Sequence, residues 1–433
     1  MAAKKTPAKK STPKKAAAKK AGPSPKKSTA QTRAEQWVSK INKSQKFKGK
    51  AQVRMASEVR TPYHLRRPTG VLGLDIALGG GFHAGGGVQI YGSESVGKTY
   101  LAFKTIAEHQ RIYGEDATAL IFGTEIRTDK GFARKAGVCV GYSDYEISEF
   151  EEIRVRDGLP KFTKDEVADL KKNIGTIVFQ AAETADVGFD VIVDALREDV
   201  FNIVLIESLG ALITEAMGEK DVGAKHVGGS AGVITMFQNK IYPLFMLDRD
   251  EEGSILETTI IGINQARAEM DRPSPRSPKI HEAAGAFAWK HGQLANIELR
   301  KGVPIREKAG EPPIGRVVNW KIAKGKAGTH DGLAGEYDYY HVPRGDPVFW
   351  KDVEEIYMGG VDSVTDAYNA AKKLGVIQAA GAWLTWEDLE GNTVIRANGK
   401  AKFVEELAQN TEEYVGLLRQ QCLKKSGLLV RWR

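Results

Sequence analysis

The stretch Gly92-Ser93-Glu94-Ser95-Val96-Gly97-Lys98-Thr99 has glycine at its first and sixth positions and a Lys-Thr pair at its end, the G-x-x-x-x-G-K-T spacing of a phosphate-binding loop. Glycine permits the tight wrap that turns successive backbone N–H groups towards phosphate oxygens, and a helix opening behind the loop adds its positive dipole end. In such a loop Lys98 neutralises charge on the β- and γ-phosphates of a nucleoside triphosphate, the Thr99 hydroxyl completes a Mg2+ shell, and Tyr100 lies in the first helical turn. Two acids have types that suit the same chemistry. Glu207 closes the otherwise apolar run Asn202-Ile-Val-Leu-Ile-Glu207, as an acid that positions a metal from a strand end should. Glu125 follows the run ALIFG and could activate an attacking water where strand ends gather around a bound phosphate. Each has a plainer reading: a chance glycine loop, a strand that merely ends in a charge, and a surface glutamate.

These residues need elements to hold them together. GVQIY before the loop and YLAFKTIAEHQRIY after it read as strand and helix, the context a phosphate loop requires. Further β-rich runs, ATALIFG, TIVFQ, NIVLIE and TTIIGIN, alternate with helical stretches. Alternation of this kind predicts an α/β fold, a mainly parallel sheet covered by helices on both faces, over residues 69–340. Ahead of it, within 31–68, QTRAEQWVSKINK puts Trp37, Val38 and Ile41 on one face of a helix that needs something to pack on, followed by a basic linker. Behind it, 341–433 reads as a small α+β C-terminal domain containing helical DSVTDAYNAAKKLGVI and KFVEELAQNTEEYVGLLRQQCL.

At 433 residues, 42% of them hydrophobic, the chain can bury one large core with smaller modules attached. It has no uninterrupted apolar run long enough to span a bilayer, which argues against a membrane role. Cys139 and Cys422 are too few and too far apart for a disulfide framework or a zinc site, so a reducing compartment, the cytoplasm, is the expectation. The net charge of +8 is local: residues 1–30 hold ten lysines in five pairs and no acid, and the remainder carries −2. That opening segment has too little apolar surface to offset ordering entropy, so a disordered tail, retained in the mature protein, is expected at 1–30. Its charge density suits counterion release on a polyanion such as DNA; a solubilising extension and a nuclear-localisation signal are the alternatives.

Taken in order, TGVLGLDIALGGG, GSESVGKT, TEIRTDKGFARKAGV, IVLIESLGAL, IIGINQARAEM and the late AGAW resemble the bacterial and phage RecA family at family-like spacing, from about residue 33 to 425. The resemblance implies a RecA-type P-loop NTPase core with an N-terminal oligomerisation helix. It implies an ATP- and Mg2+-using recombinase that forms helical filaments on single-stranded DNA and exchanges strands with homologous double-stranded DNA. Mediator and single-strand-binding proteins are the implied helpers, and a nucleoid-associated location the implied setting. By position, Glu125 would be the base that activates water, Asp129 an adenine contact and Phe132 the aromatic stacked on the base. Gln265 would sense the γ-phosphate and order the segment after it. Lys324 and Lys326, in VNWKIAKGKAG, align with paired lysines that reach a neighbouring subunit's ATP, which would make hydrolysis depend on the filament. The Trp37 helix would dock on that neighbour. Segments 214–228 and 266–284 read as DNA-holding loops, with Arg267, Arg272, Arg276 and Lys279 of the second placed for phosphates. Without the resemblance, Gln265 is a polar residue closing a strand, Lys324 and Lys326 are solvated surface, and the charged loops are solvated too.

The chain also departs from that family. Glu207 stands where the family usually has Asp, segment 141–173 is longer and more charged than the corresponding connection, and LKKSGLLVRWR replaces an acidic C-terminus. With the lysine tail, these features look more like a divergent phage-type member than a bacterial housekeeping one. Two other readings stay open: a RecA-fold ATPase with another task, and a non-enzymatic DNA-compacting protein whose ATP site has decayed. Lys324, Lys326 and AGAW weigh against the first, the intact phosphate loop against the second.

Overall fold

The computed structural model describes residues 29–48, 51–59, 65–123, 130–218, 229–247, 249, 254–268, 280–282, 286–341 and 360–428. It divides into two compact units, Met1–Val59 and Arg60–Arg433. In the first, α1 (Thr29–Asn42) carries Trp37, which is 55% exposed. The Asn42 side chain caps the turn back towards the chain that follows, donating to Val53 O at 2.7 Å and accepting from Val53 N at 3.1 Å.

In the second unit, β1 (Arg66–Arg67) pairs antiparallel with β2 (Phe82–His83), and α2 (Leu72–Ala77) lies between them in sequence. The main sheet contains the five strands expected: β3 (Gly86–Gly92), β4 (Thr118–Gly123), β5 (Thr176–Gln180), β6 (Ile203–Glu207) and β7 (Thr259–Ala268). After a short β8 (Ile280–Glu282) it gains β9 (Ala295–Ile305), β10 (Gly315–Gly325), β11 (Ala334–Tyr340) and β12 (Gly360–Val361). The order is β12-β11-β10-β9-β3-β7-β6-β4-β5. Every pairing from β9 through β3 to β5 is parallel, and every pairing from β9 out to β12 is antiparallel.

The helices of this part are α3 (Lys98–Tyr113), α4 (Lys130–Lys135), α5 (Asp144–Arg156), α6 (Lys164–Leu170), α7 (Ala185–Glu198), α8 (Glu215–Gly218), α9 (Gly229–Met246) and α10 (Ala286–Gly292). Because strand side chains alternate, the apolar runs of β4, β6 and β7 serve two cores at once. Ile121, Ile203, Leu205 and Ile261 pack with Leu101, Phe103 and Ile106 of α3. Their sequence neighbours Leu120, Phe122, Val204, Ile206 and Ile260 pack with Phe189 and Ile192 of α7, Phe237 of α9 and Trp289 of α10. Gly188 lets α7 lie directly on the Phe122 ring, since a Cβ there would come within 2.2 Å of it. The charged segment 141–173 is largely helical, α5 and α6 each opening on a capping box, Ser143 with Glu146 and Thr163 with Glu166.

The C-terminal part consists of α11 (Ser363–Lys373), an antiparallel sheet of β13 (Ile377–Ala380), β14 (Trp383–Glu387) and β15 (Thr393–Asn398), then α12 (Lys400–Ala408) and α13 (Gly416–Lys425). Its core of Tyr368, Trp386, Phe403, Leu418 and Cys422 also takes in Leu72 and Ile76 of α2, and Asp366 Oδ2 accepts a 2.6 Å hydrogen bond from Leu72 N. α2 is thus the element shared between the two parts.

Within the expected DNA loops the described residues are more ordered than loop. α8 occupies Glu215–Gly218, and β7 runs past Gln265 to Ala268, pairing with β8 so that Arg267 lies opposite His281. An extended segment leaving the sheet keeps its backbone groups satisfied by pairing with its own return, which outweighs the turn-forming composition between.

Candidate nucleotide-binding site

Because β3, β4, β6 and β7 are parallel, their carboxyl ends lie along one edge, the usual location of a ligand in such a sheet. There Gly92 is level with Gln265 of β7 and Leu299 of β9, and Gly123 is level with Glu207 of β6. Gly92 is walled in: a Cβ would come within 2.3 Å of the Leu299 carbonyl oxygen. Val96 is buried, while Ser93, Glu94 and Ser95 are exposed. Gly97 has φ 100 and ψ 20 at the N-cap of α3, a left-handed turn that glycine adopts at no steric cost. The first N–H groups of α3 therefore open beside the loop, an anion-binding arrangement.

Lys98 is buried, its Nζ donating to Gly92 O at 3.2 Å and Ser93 O at 2.8 Å, so the ammonium lies against the loop it follows. Thr99 Oγ1 donates to Glu207 Oε1 at 3.2 Å, tying the first turn of α3 to the end of β6. A hydroxyl beside a carboxylate is the hard-oxygen donor set that Mg2+ prefers, so these residues fit a metal–triphosphate ligand. The longer Glu207 reaches Thr99 without disturbing β6. Tyr100 is turned elsewhere: its ring meets Tyr339 at 4.9 Å and its hydroxyl accepts from Val361 N at 3.1 Å, so its side chain is not directed to the loop. Phe132 on α4 is half-buried, its ring edge-on to Phe103 at 6.1 Å.

Glu125, Asp129, Arg272, Arg276 and Lys279 lie outside the described residues; Arg267 is in β7, two residues past Gln265. Lys324 and Lys326 are not brought to the loop of their own chain. Lys324 is level with Asn296, towards the amino end of β9, whereas Gly92 is level with Leu299. Lys324 Nζ donates to Lys290 O at 2.6 Å and His291 O at 2.8 Å, and Lys326 Nζ donates to His291 O at 3.2 Å. Both cations thus cap the carboxyl end of α10, where carbonyls lack helical partners and the dipole favours positive charge.

One constellation carries no full signature in the sequence. Glu146, third residue of α5, accepts from Lys130 Nζ at 2.7 Å and Arg134 Nη1 at 3.1 Å, both on α4, besides its capping bonds from Ser143. Burial opposes ionisation of this carboxyl, but the bonds from Lys130, Ser143 and Arg134 outweigh it and hold the group at about 2. The S-x-x-E spacing announces the cap; nothing in the spacing announces that the same carboxylate would meet α4.

Comparison with known proteins adds the lineage. Residues 34–148 match the family model for the RecA N-terminal domain. "Protein RecA" of Petrotoga mobilis is 25% identical over 368 residues, 84% of this chain and 80% of that one. "Protein RecA" of Thermotoga maritima is 27% identical over 365 residues, 84% and 83% of the two chains. For "Protein RecA" of Thermus thermophilus the figures are 28% over 366 residues, 84% and 86%. A solved structure titled "Crystal structure of the RadB recombinase" is 16% identical and covers 63% of this chain and 94% of its own, at a TM-score of 0.35, a likeness on which nothing below rests.

Proposed function

Because the chain is a divergent member of the RecA family, we propose that it is an ATP-dependent homologous recombinase, a DNA-stimulated ATPase that forms filaments on single-stranded DNA and exchanges it with a homologous duplex. The observation that carries this reading is the carboxyl edge of the parallel sheet, where the Thr99–Glu207 pair, Lys98 and the glycine-walled loop meet Gln265 on the adjacent strand. Mg2+ held by Thr99 and Glu207 would supply charge neutralisation on the β- and γ-phosphates.

The remaining roles fall to this chain's own groups. Lys98 exchanges the Gly92 and Ser93 carbonyls for phosphate oxygens, and Glu125 takes the proton of the attacking water. Asp129 and Phe132 bind adenine. Gln265 reports the γ-phosphate to the β7–β8 ribbon, and through it to Arg267, Arg272, Arg276 and Lys279, which hold DNA phosphates. With a grip on phosphate, sequence selection comes from base pairing between the strands. Lys324 and Lys326 serve the ATP of the next subunit, which their position away from their own loop allows. Among the described residues no helix is long and apolar enough to cross a membrane.

The test is ATP hydrolysis by the full chain with and without single-stranded DNA at fixed moderate salt, with Lys98→Ala as the blank. Strong stimulation by single strands, abolished in Lys98→Ala, is expected. Turnover indifferent to DNA would favour another RecA-fold ATPase, and normal turnover in Lys98→Ala would overturn the site assignment.

A further inference from the structure

We propose that Glu146, on the helical segment between α4 and β5, is a positioning residue for the nucleobase side of the site, acting through Lys130 and Arg134. The inference rests on the nucleotide reading above, because α4 carries Phe132 and follows Asp129 directly in sequence.

α4 has six residues, too few to be stable on its own. Its first residue, Lys130, puts a cation at the end of the helix where the dipole disfavours one. Glu146 answers both problems. Lys130 and Arg134 are four apart and share one face of α4, while Phe132, two residues from each, points to the other side and meets Phe103 of α3. One carboxylate therefore holds the back of α4 at both ends while its front carries the aromatic.

The attachment at Arg134 is built in depth. Nε donates to Val140 O at 2.7 Å, Nη2 donates to Gly141 O at 2.8 Å, and the guanidinium lies 3.7 Å above the centre of the Tyr142 ring. The Arg134 side chain is only 5% exposed, and Glu146 is its ion-pair partner. Glu146 is in turn fixed by Ser143, whose N and Oγ donate to its Oε2 at 2.8 Å each. The segment thus begins with a device that is at once its own helix cap and a clamp on the element bearing the proposed base-stacking residue. A merely decorative surface insertion would need the cap alone.

Glu146→Gln keeps the shape and an oxygen for the Ser143 cap but removes the charge that serves both cations. In the full chain, binding of fluorescent ATP and GTP analogues is measured by anisotropy, together with KM and kcat for both nucleotides in the presence of single-stranded DNA. The expected result is a loss of about fivefold in ATP affinity, with less change for GTP, so that the preference for adenine falls while kcat changes less than KM. Glu146→Asp restores part of the preference. Equal losses for ATP and GTP, or none, in a variant with wild-type circular dichroism would overturn the proposal and leave Glu146 a structural brace. If Glu146→Gln does not fold, Lys130→Met, which breaks one arm of the clamp, is read by the same criteria. Failure of the recombinase reading is separate: it shows as wild-type turnover indifferent to DNA, with the ATP-against-GTP comparison still decisive.

Discussion

Arg419→Met tests the electrostatics of the junction between the main-sheet part and the C-terminal part. Arg419 on α13 lies 3.6 Å from Asp75 Oδ2 on α2, and its charge also lowers Glu108 on α3 and Asp366 on α11. All three carboxylates are buried. Burial raises Asp75 to about 7, against Arg419 and two bonds from Thr69, and raises Asp366 to about 6, against the Leu72 amide and Arg419. Glu108 is also penalised by burial, but Arg419, Lys104 and Arg111 hold it at about 2. At the 3.6 Å separation and an effective dielectric of about 20, the Arg419–Asp75 attraction alone is about 5 kcal/mol when both are charged.

The cost of losing Arg419 must therefore depend on pH. Folded-state values above the ordinary carboxylate range mean that the folded chain binds more protons than the unfolded one between roughly pH 4 and 7. Stability from Asp75 and Asp366 is thus present at low pH and declines as pH rises through 6 to 7. Glu108 works the other way, its contribution being lost only as pH falls from the ordinary range towards 2. Near pH 5.5 both aspartates carry protons and Arg419→Met deprives mainly Glu108. At pH 8 both wild-type aspartates are ionised beside the guanidinium, so its removal also withdraws their attraction, up to the cost of protonating them again. Urea unfolding followed by intrinsic fluorescence should show a destabilisation of about 2 kcal/mol at pH 5.5 and about 4 kcal/mol at pH 8. An equal penalty at both values would refute the electrostatic account and leave Arg419 a packing residue.

If Thr99 and Glu207 hold Mg2+ as proposed, Glu207→Gln, which retains the hydrogen bond from Thr99 but removes the carboxylate charge, should raise the Mg2+ concentration needed for half-maximal ATP turnover by about tenfold; an unchanged Mg2+ titration counts against Glu207 as a metal residue. Gly188→Ala would drive a Cβ to 2.2 Å from the Phe122 ring and should cost about 1–3 kcal/mol in urea unfolding, with no effect meaning that α7 can lift from the sheet freely.

How much of this was legible beforehand varied with the kind of signal. Strands β3, β4, β6 and β7 are legible as apolar β-rich runs because strands buried on both faces have little polar alternation to conceal them, while β5, at the edge, is legible by its apolar composition alone. The loop from Gly92 to Thr99 was legible because its function fixes residue type and spacing together. The antiparallel extension β9 to β12 is less legible in the sequence: β10 alternates buried Val318, Trp320 and Ile322 with polar neighbours, but its partners lie in long, charge-rich runs. Segment 141–173 gives no clear element signal in the sequence, because short capped helices such as α5 and α6 bury little and leave only a weak apolar period. The clamp at Glu146 was invisible because it depends on where α5 meets α4, a tertiary fact. Lys324 and Lys326 were picked out by resemblance, and only coordinates could show them on the carbonyls of α10.

The strand order has a consequence for how the chain is made. β3, which leads into the nucleotide loop, has β7 and β9 as its partners in the main sheet, and the residue level with Gly92 is Gln265, about 170 residues later. At a synthesis rate of roughly 5–20 residues per second, the wall beside the loop emerges roughly 10–35 s after the loop itself. Throughout that interval a ribosome-bound chain carries the full glycine-lysine signature with neither of those strands to shape it, and its apolar β3 edge is open to wrong partners. The most recognisable part of this sequence is among the last parts of its main sheet to be completed.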